Sequence, residues 1–285
     1  MQKQVTWSLA RGRVLGPAPF FVLGVLNITP DSFYDGGHYA QQEAACGHAL
    51  ELLEQGAEVL DIGGESTRPF SERIALEQEM QRVLPVLDFV LEHKPGAVIS
   101  VDTYKAQMAR QALEQGALII NDVSACRFDP DLLDVLGHYK PGYVLMHSLG
   151  RPEEMQKEPK YGDVLQDIKA FFEEHLRVLN NAGLPEENIV LDPGIGFGKT
   201  LEHNLQILEG ISEFFDLGRP LMIGLSNKSM WGKFLGLEPE QRQIATQVAT
   251  ALMANKGVSI HRVHEAGLTM QSLQILSRLQ GYSQT

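Results

Sequence analysis

Residues 97–124 read AVISVDTYKAQMARQALEQGALIINDVS and contain one complete unit of a repeating pattern. An apolar, β-branched run (97–103) is followed by an amphipathic stretch (105–116) that ends at a glycine, and a second apolar run covers 118–124. Glycine commonly ends helices, and nearly continuous apolar strands separated by helices are typical of parallel sheets buried on both faces. The stretch therefore predicts a strand, a helix and a second, parallel strand.

The same pattern recurs along the chain, with further amphipathic stretches at 161–183 and 241–257. Eight units in about 265 residues match the α/β class, in the form of a (β/α)₈ TIM barrel, better than a doubly wound open sheet. We predict a single domain over 1–285 with its core at about 20–280, and a short hairpin in the first 15 residues, around RGR (11–13), at the bottom of the barrel. The eight strand candidates are 20–27, 58–64, 97–103, 118–124, 143–148, 188–195, 220–226 and 259–265.

Composition excludes several classes of protein. The formal net charge of −12 disfavours nucleic acid as a partner, because an acidic chain repels phosphodiester backbones. The run FFVLGVL (20–26) is too short to span a bilayer, so no membrane association is expected. The two cysteines, Cys46 and Cys126, are far apart and form no metal-binding pattern, which favours a reducing cytoplasm.

Each strand candidate turns polar near its C-terminal end. In a barrel these ends converge on one mouth, where active sites of this fold lie. Helix capping is the alternative explanation and could account for one or two of these residues, such as Ser226 or Asp102. A polar residue in every unit favours a binding site. The residues are Asn27, Asp61, Asp102, Asn121, Asp122, His147, Asp192, Ser226 and His264.

The stretch DPGIGFGK (192–199), followed by Thr200, ends like a phosphate-binding P-loop. A P-loop needs a glycine five residues before the second glycine of its G-K-[ST] end. That position, counted back from Gly198, is Pro193. The pattern therefore does not indicate a nucleotide triphosphatase, and it leaves open what the glycines and Lys199 do.

One side of the predicted mouth is suited to an anion. Thr67 and Arg68, in the long loop 63–73, combine a hydroxyl with a guanidinium, and HRVH (261–264) places Arg262 and His264 on one face of the last strand. The last strand lies beside the first in a closed barrel, so we expect Arg262 and His264 to meet Asn27. This set suits a phosphate or pyrophosphate, with Asn27 as an oxygen ligand of Mg²⁺.

The other side is predicted to be acidic. Asp102, Asn121 and Asp192 would suit a flat heterocycle rich in N–H donors, whereas a metal-dependent hydrolase would require histidine or glutamate among them. Lys228 and Ser229 stand at the start of a predicted helix, where they could hold a carboxylate or a ring carbonyl.

Seven motifs in order resemble the dihydropteroate synthase family over about residues 20–270: NITPDSFYDGG, DIGGESTRP, SVDT, INDVS, DPGIGFGK, SNKS and RVH. The resemblance implies a TIM barrel that is a homodimer and a sulfonamide target. It also implies the Mg²⁺-assisted condensation of 6-hydroxymethyl-7,8-dihydropterin pyrophosphate with 4-aminobenzoate.

The resemblance also assigns residues to each ligand. Catalytic roles would fall to Asn27, Arg68, Lys228, Arg262 and His264, and the metal to Asn27. The aminobenzoate would contact Phe33, Pro69 and Ser229, and the pyrophosphate Asn27, Thr67, Arg68, Arg262 and His264. The glycines at 194, 196 and 198 would let the chain lie close under a flat ring. The pterin would contact Asp102, Asn121, Met146, Asp192, Phe197, Gly224, Lys228 and Arg262.

The chain departs from the usual pattern of the family at a few positions. Asn227 replaces an arginine, Phe70 a glycine, the pair Ala125–Cys126 two glycines, and Glu265 an aspartate. Asn227 and Phe70 flank the aminobenzoate end, so they put the affinity for that substrate in question.

Two other functions share part of the pattern. A pterin-binding methyltransferase that uses methyltetrahydrofolate would share Asp102, Asn121 and Asp192 but not the two loops 27–39 and 63–73. A non-catalytic paralogue would bind pterins without condensing them. The retention of the residues assigned to the anion disfavours the second alternative.

Overall fold

The computed structural model describes residues 4–29, 37–66, 73–151, 155 and 159–281. In these residues, eight parallel strands are buried along nearly their whole length, as the apolar runs predict. They are β3 (Phe21–Asn27), β4 (Val59–Gly63), β5 (Val98–Asp102), β6 (Ile119–Asp122), β7 (Gly142–Met146), β8 (Ile189–Asp192), β9 (Met222–Ile223) and β10 (Ile260–Val263). They form one sheet in the order β8-β7-β6-β5-β4-β3-β10-β9.

The sheet closes on itself. The first strand of the barrel, β3, pairs with the last, β10, with Ile260 opposite Phe21. The remaining gap, between β8 and β9, is bridged by Leu191 and Leu221, and Leu191 N donates a hydrogen bond to Pro220 O at 3.0 Å. The predicted (β/α)₈ barrel is confirmed, and the open-sheet alternative is wrong because the first and last strands are neighbours.

Helices follow the strands. The predicted helix at 161–183 begins at Val164 because the Asp163 side chain caps it, accepting from the backbone N–H groups of Leu165 and Gln166. No helix within the described ranges is long and apolar enough to cross a membrane. The helices are α1 (Gly37–Glu54), α2 (Leu76–His93), α3 (Ala106–Gln115), α4 (Leu132–Tyr139), α5 (Val164–Asn181), α6 (Leu201–Glu209), α7 (Ser229–Leu235), α8 (Gln243–Asn255) and α9 (Ala266–Leu279).

The predicted N-terminal hairpin is confirmed. Strands β1 (Val5–Ser8) and β2 (Val14–Ala18) pair in an antiparallel fashion. The fully buried Trp7 donates from Nε1 to Asn188 O at 2.7 Å, and Ala10 N donates to Leu118 O at 3.2 Å. Both acceptors immediately precede barrel strands, so the hairpin covers the bottom of the barrel and leaves the mouth open.

Strand β9 is shorter than the predicted strand at 220–226. The chain turns after Ile223, with Asn227 in a left-handed conformation at φ 55°. Trp231 Nε1 donates to Leu225 O at 2.9 Å and holds this turn to α7. The turn places Lys228 and Ser229 at the start of α7, at the mouth of the barrel.

Candidate active site

Asp61 lies inside the barrel and organises the centre of the mouth. Its side chain is fully buried. Oδ1 accepts a hydrogen bond from Ser100 Oγ at 2.6 Å, and Oδ2 accepts from Asn121 Nδ2 at 3.0 Å and Arg262 Nε at 2.7 Å. The sequence pattern placed Asp61 among the polar strand ends but gave it no ligand. Its partners are 39 to 201 positions away in the chain, so only the closed barrel reveals them.

Arg262 forms a second ion pair, from Nη2 to Asp102 Oδ2 at 2.8 Å. Burial lowers the pKa of the guanidinium, but the Asp61 and Asp102 carboxylates outweigh burial and raise it above its ordinary value. Burial raises the pKa of Asp102 to about 7, against the opposing effect of the Arg262 charge. One cation thus serves two buried carboxylates.

The prediction that basic and acidic residues occupy separate sides of the mouth is wrong, because Arg262, one of the residues predicted for the anion, contacts two of the carboxylates. Its guanidinium points to Asp61 and Asp102, because those carboxylates lie on strands paired through β3 and β4 to its own strand. His264 lies just beyond β10, with Nδ1 3.0 Å from Ser226 Oγ. The two residues of the HRVH motif therefore have different surroundings.

Asp192 and Lys228 form the opposite wall. Asp192 is buried at the end of β8, and its Oδ1 accepts from Gly194 N at 2.7 Å. Burial raises its pKa, while the Gly194 N–H and the charges of Lys228 and Arg262 oppose the shift. Lys228 Nζ lies 4.4 Å from the centre of the Phe197 ring, and burial lowers the lysine pKa to about 8. An acceptor, a cation and an aromatic face are thus brought together.

Asn121 presents an unused acceptor. Its Nδ2 donates to Asp61, while its buried Oδ1 has no hydrogen-bond partner in the described part of the chain. Buried polar atoms in folded proteins are nearly always paired, so an unpaired carbonyl oxygen at the mouth indicates a ligand donor.

Lys199, the lysine of the G-K-T sequence, points into the protein rather than toward the mouth. Its Nζ lies 2.9 Å from His147 Nδ1 and donates to the carbonyl oxygens of Phe197 at 3.1 Å and His147 at 3.3 Å. Burial lowers its pKa to about 7. Burial, together with the Lys199 charge, also holds the pKa of His147 well below its ordinary value, so that Nδ1 accepts from the lysine. Lys199 therefore ties the loop after β8 to the end of β7.

Two of the three glycines in this loop serve the same packing. Gly194 and Gly198 have φ angles of 67° and 66°, and a Cβ at Gly194 would lie 2.0 Å from His147 O. At Gly198 it would lie 2.5 Å from Leu149 Cβ. The interpretation that these two glycines admit a flat ring is wrong, because the space is filled by the chain segment after β7.

Asp122 has a structural role. It points away from the mouth and accepts from Ser124 N, Cys126 N and Tyr143 Oη at 2.6–2.9 Å. These bonds hold a turn in which Ala125 and Cys126 have φ angles of 54° and 61°. Such angles favour glycine, which explains why a glycine pair is usual there in the family that the motifs resemble.

Four further residues predicted for the site lie at or beside strand ends or at the start of a helix. Asn27 ends β3 opposite Gly63, which is opposite Asp102. Met146 is buried opposite Asp192, and Gly224 lies beside Arg262, where a Cβ would be 3.8 Å from that of the arginine. Ser229 begins α7. Outside the described residues lie Phe33, Thr67, Arg68, Pro69 and Phe70.

Comparison with known proteins agrees with this geometry. The sequence profile of pterin-binding enzymes matches residues 23–264. The dihydropteroate synthase of Bacillus subtilis (strain 168) is 42% identical over 244 residues, which are 86% of this chain and 83% of that protein. The chain belongs to the dihydropteroate synthase family. Membership of this family makes the chain a transferase.

Solved structures of a dihydropteroate synthase show the same fold. The enzyme of Xanthomonas albilineans with 4-aminobenzoic acid superposes with a TM-score of 0.90 at 37% identity. The same enzyme in complex with 7,8-dihydropteroate gives a TM-score of 0.87 at 35% identity. Each comparison covers 98% of this chain and 100% of the other. The family resemblance drawn from the seven motifs is confirmed.

Proposed function

We propose that the protein condenses 6-hydroxymethyl-7,8-dihydropterin pyrophosphate with 4-aminobenzoate to give 7,8-dihydropteroate and pyrophosphate. The observation that carries this proposal is the set of inward-facing acceptors at the barrel mouth. The Asn121 Oδ1 atom and the Asp192 carboxylate are buried there, and the Lys228 ammonium, which lies over the Phe197 ring, interacts electrostatically with Asp192. The amino group and ring N–H groups of a dihydropterin supply the matching donors.

The pterin would lie between these groups. Asp192 and Asn121, with Asp102, would accept from the amino and ring N–H groups, while Lys228 would donate to the ring carbonyl. The Phe197 and Met146 side chains would pack on the ring. A buried carboxylate that accepts charge-assisted hydrogen bonds gives strong orientation, since burial weakens competition from water.

The reaction needs charge stabilisation more than acid–base chemistry. The bond between the pterin CH₂ group and the pyrophosphate oxygen breaks, and its electron pair leaves with pyrophosphate. The aniline nitrogen of 4-aminobenzoate forms the new C–N bond and then loses a proton. We assign Arg262 and His264, with Thr67 and Arg68, to the leaving group, where negative charge increases in the transition state.

We assign the aminobenzoate to Phe33, Pro69 and Ser229, as the resemblance to the family implies. Sulfonamides mimic this substrate, and we expect them to compete with it. Non-competitive inhibition would contradict the Ser229 position.

A magnesium ion fits this arrangement on one condition. No group of three histidine, cysteine, aspartate or glutamate side chains within the described ranges could hold a metal ion. Asn27 offers an amide oxygen at the end of β3. Mg²⁺ commonly takes one or two protein ligands and completes its shell with water and substrate phosphates, so Asn27 would hold it only together with pyrophosphate. When bound, the ion would neutralise charge on the leaving group.

Product formation tests the proposal. Purified protein, Mg²⁺ and both substrates should yield 7,8-dihydropteroate, separated by liquid chromatography, and omission of 4-aminobenzoate should abolish the product. Pterin binding without product would instead support a non-catalytic paralogue. Methyl transfer from methyltetrahydrofolate would support the methyltransferase alternative.

We also propose a homodimer formed through α8 and α9. These helices pack against each other and carry exposed apolar side chains at helical spacing. Ile244 and Leu279 are 79% and 81% exposed. Exposed apolar surface of this kind marks an interaction site. The other members are Val248, Leu252, Leu268 and Ile275.

The dimer is tested by light scattering after size-exclusion chromatography. The wild type should have twice the mass of one chain, and Val248→Glu should have the monomer mass. Val178 on α5 is also exposed, so Val178→Glu is the matched control and should remain a dimer. A monomeric wild type would exclude this interface.

We also propose that the protein is cytoplasmic, in keeping with two buried free cysteines.

A further inference from the structure

We propose that Asp61 is a positioning residue that fixes the Asn121 amide with its oxygen toward the pterin. The inference rests on the proposed function, because it concerns how the pterin pocket reads its ligand. Asp61 would not touch the ligand itself. It would act through the orientation of a neighbouring side chain.

Hydrogen-bond donors surround the Asp61 carboxylate. Three donors converge on its carboxylate: the hydroxyl of Ser100, the amide Nδ2 of Asn121 and the guanidinium Nε of Arg262. The side chain has no exposed surface, so water does not compete for these oxygens. An ionised carboxylate can only accept hydrogen bonds. Asp61 therefore demands a donor from Asn121.

Asp61 distinguishes between the two ends of the Asn121 amide. The oxygen and nitrogen of an asparagine side chain have nearly the same shape, so packing alone does not distinguish them. If Asn121 were turned over, its Oδ1 would face the Asp61 carboxylate, and two acceptors would meet in a buried place. Such a contact loses a hydrogen bond and adds repulsion, so only the observed orientation suits the partner.

The fixed orientation of the Asn121 amide determines which ligand group it can bind. With Nδ2 held by Asp61, the buried Oδ1 is left without a partner in the described part of the protein. A ligand N–H would satisfy it, whereas a ligand acceptor at the same place would leave both oxygens unpaired. Asp61 would thus make the pocket selective for a heterocycle that presents an N–H to Asn121.

Asp61 could instead influence binding through Arg262, because Arg262 Nε and Asn121 Nδ2 donate to the same oxygen, Asp61 Oδ2. A double-mutant cycle separates the two routes. If Asp61 acts through Asn121, its substitution has little further effect once the Asn121 amide is removed. If it acts through Arg262, the effect persists.

The experiment measures the dissociation constant of 6-hydroxymethyl-7,8-dihydropterin by calorimetry. We expect Asp61→Asn to raise it at least about tenfold, because the amide can then turn over and the Oδ1 acceptor is lost. Against an Asn121→Ala background, the same substitution should change it by less than about twofold. The matched control is Asp122→Asn: Asp122 is also buried with three donors, but it faces the turn after β6, so pterin affinity should be unchanged.

Three outcomes would overturn the inference. These are unchanged pterin affinity in Asp61→Asn, the same loss in the Asn121→Ala background, and an equal loss in Asp122→Asn. A wild type that does not bind the pterin would overturn the proposed function and this inference together. Loss confined to the Asp61 variants would leave both standing.

A measurement on the wild type covers the case in which Asp61→Asn does not fold. Asn121 Nδ2 and Arg262 Nε donate to the same oxygen, so their protons should be close to each other. In protein labelled with ¹⁵N at asparagine and arginine, we expect a nuclear Overhauser effect between them, both with and without pterin. Its absence, with or without pterin, would overturn the inference.

Discussion

Two cationic side chains near the barrel mouth, the part-buried Arg262 and the buried Lys199, have opposite surroundings. Arg262 is held by two carboxylates, and its pKa is raised. Lys199 is hydrogen-bonded to an imidazole nitrogen and two carbonyl oxygens, and its pKa falls to about 7. The difference shows that two carboxylates favour the charged form of Arg262, whereas the hydrogen-bond partners of Lys199 are uncharged and burial favours its neutral form.

Removal of Arg262 should have the largest effect. Arg262→Ala leaves the Asp61 and Asp102 carboxylates buried without their cation, which should lower the free energy of unfolding by about 3–5 kcal/mol. Urea denaturation at pH 8 measures the loss. A decrease of less than about 1 kcal/mol would mean that the two carboxylates do not depend on the arginine.

Asp192→Asn tests the acceptor wall that faces the Arg262 cluster. The amide keeps its oxygen for Gly194 N and presents a donor where the pterin also has donors. Pterin binding should weaken by roughly 1–3 kcal/mol. The thermal midpoint should hardly change, which serves as the control for folding. Unchanged affinity by calorimetry would remove Asp192 from the pterin site.

Lys199→Met removes the second cation and so tests how it contributes to the pH dependence of stability. Between pH 7 and 10.5 the unfolded chain keeps the lysine proton that the folded protein lacks, so the wild type gains stability as the pH rises through this window. The gain is at most about 1.4 kcal/mol per pH unit and is absent from the variant. The stability difference between the two proteins should therefore change with pH, in favour of the wild type. A constant difference from pH 6 to 10 would show that Lys199 remains charged.

His264→Ala should have little effect on stability. The imidazole is part-buried beside Ser226, and the free energy of unfolding should change by less than about 1 kcal/mol. Turnover should nevertheless fall more than pterin affinity does, since we assign His264 to the leaving group. A normal kcat would place the pyrophosphate elsewhere.

Local pattern was sufficient to predict the fold. The unit at 97–124 appears as β5, α3 and β6 within a few residues of the predicted limits, because apolar periodicity and the glycine at position 116 act locally. Strand β9 is shorter than predicted. Leu225 is apolar, as in a strand, but it lies in the turn held by Trp231.

The site was predicted only in part, since its partners are distant in sequence. Spacing excluded a P-loop around Lys199, but His147, its actual partner, lies 52 positions earlier. The polar strand ends were recognised from the sequence. The pattern alone could not distinguish the role of Asp61, at the centre of the mouth, from that of Asp122, which stabilises a turn. That distinction depends on which way each side chain points in the closed barrel.

A crystal structure with 6-hydroxymethyl-7,8-dihydropterin tests the central claim most directly. We expect the ring beside Phe197, with its N–H groups within hydrogen-bond distance of Asp192 and Asn121 Oδ1, and its carbonyl facing Lys228. Arg262 should remain bonded to Asp61. A pterin bound away from these residues, or an Asn121 side chain that leaves Asp61 to meet the ligand, would contradict the account.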